Sequence, residues 1–287
     1  MYHIIYNPIA GKKRASKNLE VVKKIFQDRG VAFETHQSQS ASECTKIARQ
    51  LSEQGECEFI VLGGDGTLHE VLNGLSDPSK CTLGLVPSGT GNDFAEKVGI
   101  PLDAEKATLK ILDGEVKDTD YLIVGDYRSM NVAGIGMDVD VLERCQKGKL
   151  KGKPKYVLSL LQSLFAFKGY TVVVEKDGKE ETHEALIAAV CNGGLFGGGI
   201  PICPDAVVDD GKINVVVVDC IGGVFKLIKA FMVLMKGGIL EYPLTTHYLC
   251  ESVRFIPKGV NTSQLDGELY KDVVFDVKIG KGLKFYR

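Results

Sequence analysis

The sequence predicts an α/β domain built on a parallel sheet, followed by a mostly antiparallel β domain of sandwich type. Three observations carry the prediction. Over the first third, short apolar runs of strand length alternate with segments of helical spacing. Beyond about residue 118, strand-like runs follow one another directly, with Asp-Gly turn signals among them. Two glycine-rich turns, 63–66 and 88–91, each follow a strand and precede a helix, as connections of a parallel sheet do.

Tyr2–Tyr6 is the first strand, ended by Asn7-Pro8. The stretch from Lys17 to Arg29 sets Leu19, Val22, Ile25 and Phe26 on one helical face, and Gly30 closes it. Val31–Thr35 reads as the second strand and Ser42–Gln54 as the second helix. The third strand, Glu58–Leu62, feeds the first glycine turn. There Thr67 and Glu70 form a Thr-x-x-Glu box, which starts a helix running to Leu75. Thr82–Val86 is the fourth strand, and a helix begins near Phe94 after the second glycine turn.

The pattern changes near residues 118–122. Strand-like runs then occupy Tyr121–Val124, Thr171–Glu175, Leu186–Cys191, Ile213–Val218, Ser252–Ile256, Val273–Val277 and Leu283–Tyr286. Lys176-Asp-Gly178 and Asp210-Gly211 are hairpin signals. Only Tyr156–Phe167 and Val224–Lys236 have helical spacing in this half. The expected domains are therefore 1–120 and 121–287, with the last strand free to pack back toward the first domain.

A formal charge of -2 excludes a dedicated nucleic-acid binder, whose domain would be strongly basic. The eight cysteines form no C-x-x-C or zinc-type cluster, which points to reduced thiols in a cytoplasmic protein. The first residues run straight into a strand and lack the pattern of a signal peptide. No stretch reaches the ~18 consecutive apolar residues that a membrane span needs. The longest candidate, Ile221–Leu240, is broken by Lys226, Lys229 and Lys236 and belongs to a surface or the core. The five histidines are scattered and suggest no metal site.

In Leu62-Gly-Gly-Asp-Gly-Thr67, unpaired backbone N–H groups and the positive end of a helix would point at one place, a ready phosphate site. Without a ligand the same residues would be a capped helix after a glycine turn. Pro87-Ser-Gly-Thr-Gly-Asn-Asp93 holds the equivalent position after the next strand. Both turns would emerge where ligands bind in open parallel sheets. Asp65 and Asp93 beside phosphates call for a cation, most simply Mg²⁺. A third turn, Asn7-Pro-Ile-Ala-Gly-Lys12, leaves the first strand at the same edge and matches neither the P-loop nor the dinucleotide pattern.

Taken together, these three turns resemble the catalytic domain of the diacylglycerol kinase family, in its soluble bacterial form. The resemblance continues through Asn131-Val-Ala-Gly-Ile-Gly136, Asn192-Gly-Gly-Leu-Phe-Gly-Gly-Gly199, Pro204-Asp-Ala206 and Asp209-Asp-Gly211 to Leu265-Asp-Gly-Glu268. It thus covers nearly the whole chain in order. A lone Gly-Gly-Asp-Gly would be weak, since NAD kinases and phosphofructokinases share it. The resemblance implies a first domain like theirs and an ATP-dependent lipid kinase. It implies that ATP is contacted by Asn7, Ser38, Gly63, Gly64, Asp65, Gly66, Thr67, Glu70 and Thr90. Asp65, Asp93 and Asp120 would organise Mg²⁺ between nucleotide and acceptor, and Glu268 would be the general base. A structural Mg²⁺ of bacterial relatives would fall on Val207, Asp210 and Lys212. Val207 stands where some relatives carry a hydroxyl residue, so it could offer only its carbonyl. Without the resemblance, Glu268 would be a solvated strand residue beside an Asp-Gly turn.

The implied partner is a lipid with a free hydroxyl. The run Lys147–Lys155 holds five lysines in nine residues and could attract the protein to an anionic inner-membrane face, although such runs are commonly solvated loops. Edge strands of the β domain offer a route to a homodimer. Two other readings remain open: a soluble-substrate kinase of the NAD kinase type, and a non-catalytic nucleotide-binding regulator. Asn7–Lys12 and Ser88–Asp93 fit the lipid kinases better than the first. Asp65, Asp93 and Glu268 together argue against the second, since a binding module needs no base.

Overall fold

The computed structural model describes residues 1–40, 42–147 and 153–287. The chain divides into two units, Met1–Tyr121 with Gly280–Arg287, and Leu122–Ile279. The first holds β1 (Tyr2–Tyr6), α1 (Ala10–Asp28), β2 (Phe33–Gln37), α2 (Glu43–Ser52), β3 (Cys57–Gly63), α3 (Asp65–Gly74), β4 (Cys81–Pro87), α4 (Asp93–Lys97) and α5 (Ala104–Asp113). β5 (Val116–Val124) leads out of it. Then come β6 (Tyr127–Ser129), β7 (Val132–Gly136), α6 (Met137–Lys147), α7 (Lys153–Ala166), β8 (Tyr170–Lys176), β9 (Lys179–Cys191), β10 (Leu195–Phe196) and β11 (Ile200–Pro201). β12 (Ile213–Asp219), α8 (Val224–Met235), β13 (Thr245–Cys250), β14 (Ser252–Pro257), β15 (Thr262–Leu265), β16 (Glu268–Lys271) and β17 (Asp276–Tyr286) complete the chain.

In the first unit the strands run in the order β2-β1-β3-β4, all parallel, and the last residues of β17 add a further parallel strand beside β4. The unbroken buried run Phe59–Leu62 of β3 fits a central parallel strand covered on both faces. Phe26 of α1 meets Tyr2 and Phe33 edge-on, each at 5.4 Å, while Phe94 of α4 meets Phe285 of β17.

The second unit is antiparallel. β9 is its centre, pairing with β7, β8 and β12, and the path extends from β7 to β15 and β16 and from β8 to β14. Alternation along β9 builds two cores. Ile187, Ala189 and Cys191 share one with Met137 and Val141 of α6, Leu160 and Leu164 of α7, and Ala230 and Leu234 of α8. Ala188 and Val190 share the other with Val253, Phe255, Phe275 and Val277. The β8–β9 hairpin turns at Asp177-Gly178, both at positive φ, as the Asp-Gly signal predicts.

Several elements differ from expectation. α1 begins at Ala10 rather than Lys17, because its first turns are polar and carry no apolar stripe. α3 begins at Asp65 with Gly64 as N-cap, so Thr67 already lies inside the first turn and makes no cap. α5 and α6 were not expected. α6 follows Gly136 and buries Asp138 among its apolar positions, which breaks the helical stripe. Val273–Val277 and Leu283–Tyr286 are not two strands: one strand, β17, runs from Asp276 to Tyr286 through Gly280 and Gly282. Asp210-Gly211 makes no hairpin. Asp210 Oδ1 accepts from Lys212 N at 2.9 Å in the loop that enters β12.

All eight cysteines are free thiols. No helix among the described residues is long and apolar enough to cross a membrane. Residues 148–152 of the lysine run Lys147–Lys155 lie outside the described residues.

Candidate active site

Parallel strands β1, β3 and β4 end side by side, so the turns that leave them meet. Gly63 O accepts from Ser88 N at 2.7 Å, which fixes the first glycine turn to the second. A methyl group on Gly64 would stand 2.8 Å from the Cα of Gly89, and one on Gly89 would stand 2.5 Å from the Cα of Gly64. Only glycine at both positions lets the two backbones touch. Asp65, first residue of α3, reaches across: its Oδ2 accepts from Asp93 N and its Oδ1 from Phe94 N, both at 3.2 Å. The third turn joins them. Asn18 Nδ2 donates to Ser88 Oγ at 2.8 Å, and the Arg14 guanidinium donates to Gly89 O and Gly11 O.

The expected nucleotide residues of this unit are placed as follows. Gly63, Gly64, Asp65 and Gly66 form the junction of β3 and α3, but Gly66 is helical and does not need a positive φ. Thr67 packs against Gly63, where any Cβ would lie 2.4 Å from it. Asn7 accepts from Ile9 N at 3.1 Å. Ser38 is buried just past β2, its N–H donating to Tyr6 O at 2.9 Å. Thr90 is exposed on the second glycine turn. Glu70 turns elsewhere: its carboxylate accepts from Ser42 N and Cys44 N at 3.3 and 3.2 Å and so caps α2. Asp93 is buried at the start of α4 and Asp120 is buried in β5. His3 and His36, which look isolated in sequence, meet at 3.1 Å across β1 and β2 beside Glu34.

In the second unit, Leu265-Asp-Gly-Glu268 is the β15–β16 hairpin turn, with Asp266 at φ 53 and Gly267 at φ 88. Its two carboxylates diverge in role. Asp266 accepts from Ser129 Oγ at 2.7 Å and from the N–H groups of Met130, Asn131 and Val132 at 2.8, 2.8 and 3.2 Å. Glu268 is exposed at the first position of β16. Val207, Asp210 and Lys212 lie exposed on the loop before β12.

Four residues escaped the sequence reading. Arg14 and Asn18 look like the solvated face of a helix, and only the fold brings them to the second glycine turn. Asp266 reads as turn chemistry and proves to be a four-donor acceptor. Asp138 is fully buried at the start of α6, over Gly134, where a Cβ would meet its Oδ2. Burial pushes its carboxyl up to about 6, offset in part by the Gln264 side chain and the backbone N–H groups of Val139 and Asp138. A group whose folded value lies above its ordinary 3.8 favours the fold while protonated. Stability therefore falls as pH rises from about 3.8 to about 6, by on the order of 3 kcal/mol, and stays lowered above that. Asp138→Asn is expected to raise the urea midpoint at pH 8 and to change it little at pH 4. Equal shifts at the two pH values would contradict this account.

Comparison with known proteins adds the lineage. Residues 1–124 match the model for the diacylglycerol kinase catalytic domain. Residues 131–280 match that for the YegS C-terminal, NAD kinase β-sandwich-like domain. A diacylglycerol kinase of Bacillus subtilis is 32% identical over 219 residues, covering 75% of this chain and 72% of that protein. One from Staphylococcus carnosus is 27% identical over 269 residues, covering 92% and 87%. The crystal structure of a diacylglycerol kinase from Bacillus anthracis superposes with a TM-score of 0.78 at 24% identity, over 99% of this chain and 96% of that one. At that identity the superposition speaks to the fold.

Proposed function

Because the chain belongs to the diacylglycerol kinase family of lipid kinases, we propose that it moves the γ-phosphoryl group of ATP to a lipid hydroxyl, with diacylglycerol or a close relative as acceptor. The observation that supports this reading most is the meeting of three strand-end turns in the first unit, held by the Gly64–Gly89 contact and by Asp65. Phosphate oxygens would be received by the N–H groups at the start of α3 and by Arg14, beside Gly89. Asn7, Ser38, Gly63, Gly64, Asp65, Gly66, Thr67 and Thr90 complete the nucleotide contacts. Glu70 would act through α2, whose N-terminus it holds.

Asp65 and Asp93, joined by a hydrogen bond, offer oxygen donors alone, the set a hard divalent cation prefers. Asp120 is assigned to the same cation. Mg²⁺, when bound, would neutralise charge on the β- and γ-phosphates. The second Mg²⁺ would be held by the Asp210 carboxylate and by main-chain carbonyls at Val207 and Lys212. Glu268 takes the proton of the lipid hydroxyl as that oxygen bonds to the γ-phosphorus, and the bond to the β,γ-bridging oxygen breaks to leave ADP.

The test is transfer of label from γ-labelled ATP, with Mg²⁺, into diacylglycerol micelles, a total lipid extract, or NAD. Label in a lipid phosphate is expected. Label in NAD alone would move the chain to a soluble acceptor, and nucleotide binding without any labelled product would make it a regulator.

A further inference from the structure

α8 carries a surface that phosphoryl transfer does not use. Its inner side is part of a core: Ala230 and Leu234 are buried there, and Leu227 and Phe231 pack against it. Its outer side is apolar and unusually bare. Phe225 is 89% exposed, Met232 51%, Met235 41% and Ile228 38%. Lys226, Lys229 and Lys236 are exposed alongside them. Between Asp219 and Glu241 the chain has no acidic residue. At 100° per residue the four apolar side chains fall within an arc of about 80°, and Lys229 and Lys236 adjoin it within about another 40°. Phe225 is the second residue of the helix, whose N-cap is Gly223.

We propose that α8 is a docking helix that lies in the surface of an anionic lipid bilayer. The proposal rests on the lipid-kinase reading, in that the bilayer would hold the acceptor. Charge selects this occupant. An apolar stripe whose charged edge carries only lysines complements negative headgroups above acyl chains, and such a helix lies in the interface rather than across it. Its 12 residues span about 18 Å, well short of a hydrocarbon core of about 30 Å. A second copy of the same face would set lysines against lysines in a two-fold contact. Contiguous exposed apolar surface of this kind otherwise favours aggregation, so a cover is expected.

The chain contains no tryptophan, so Phe225→Trp supplies a single fluorescent reporter at the head of the helix. With vesicles of phosphatidylcholine and phosphatidylglycerol at 3:1, the emission of the introduced indole should shift to the blue and be quenched by brominated acyl chains. Pure phosphatidylcholine vesicles should give little shift, and 0.5 M salt should weaken it. By sedimentation with the anionic vesicles, Phe225→Ser with Met232→Ser should lower affinity at least tenfold. Lys229→Gln with Lys236→Gln should lower it roughly 25-fold. Both pairs are exposed, so the thermal midpoint should hold. Emission unchanged by anionic vesicles overturns the proposal, as does a wild-type dimer that Phe225→Ser converts to monomer. A wild-type protein that phosphorylates a dispersed short-chain acceptor but ignores vesicles would overturn docking alone. One that binds vesicles through Phe225 and labels no lipid would support docking and remove the kinase reading.

Discussion

Glu268→Gln is expected to lower kcat on a lipid acceptor by about 10²–10⁴, while ATP affinity and the thermal midpoint stay near wild type. The substitution keeps the side-chain volume and removes the charge that accepts the hydroxyl proton. Glu268 is exposed where β16 begins, so no core contact is lost with the charge. Turnover and ATP affinity, measured on the same preparation, decide the matter. A kcat within a few-fold of wild type would return Glu268 to a solvated strand residue.

Asp266, two positions earlier, should behave in the opposite way. Its carboxylate receives one hydroxyl and three backbone N–H groups from Ser129 to Val132. Asp266→Ala leaves those donors without their acceptor and places alanine at φ 53. Hydrogen bonds to a charged group contribute about 1.5–3 kcal/mol each, and since they do not add fully the expected loss is roughly 3–5 kcal/mol. For a unit of this size the thermal midpoint should fall by about 10 °C. Asp266→Asn keeps one acceptor oxygen and tolerates the left-handed backbone, so it should lose less. An unchanged midpoint in Asp266→Ala would mean that the hairpin is anchored by its strand pairing alone.

The contrast between these neighbours shows what can be read in a sequence. The Asp-Gly pair announces a hairpin because only a few residues accept positive φ, and the β15–β16 turn is there. That Asp266 is consumed by the backbone of residues 130–132 depends on the register of β15 with β7, which no local pattern encodes. The fold class is legible for the same local reasons. A continuous apolar run such as Phe59–Leu62 marks a strand buried on both faces, and glycines at a strand end mark its exit. Helix starts are less legible. Thr67 and Glu70 satisfy a capping pattern, yet Glu70 finds its donors at Ser42 and Cys44, on another helix. Arg14 and Asn18 are invisible for a like reason, since a polar face next to solvent and a polar face next to a glycine turn have one composition. α6 was hidden by Asp138, a carboxylate in the stripe where an apolar residue is expected.

The route of β17 has a consequence for how the protein is made. Its last residues, with Leu283 and Phe285 fully buried, extend the parallel sheet of the first unit through the pairs Lys284–Thr82 and Phe285–Leu83. On the ribosome, residues 1–121 therefore emerge without their final strand and must wait while all of 122–279 is synthesised. At ~5–20 residues per second that delay is on the order of ten seconds. Through it β4 is an open sheet edge, the kind of surface on which nascent chains pair wrongly. The first unit, although made first, can only be finished last. A fragment ending at residue 279 is expected to need chaperone help that the full chain escapes once Phe285 docks.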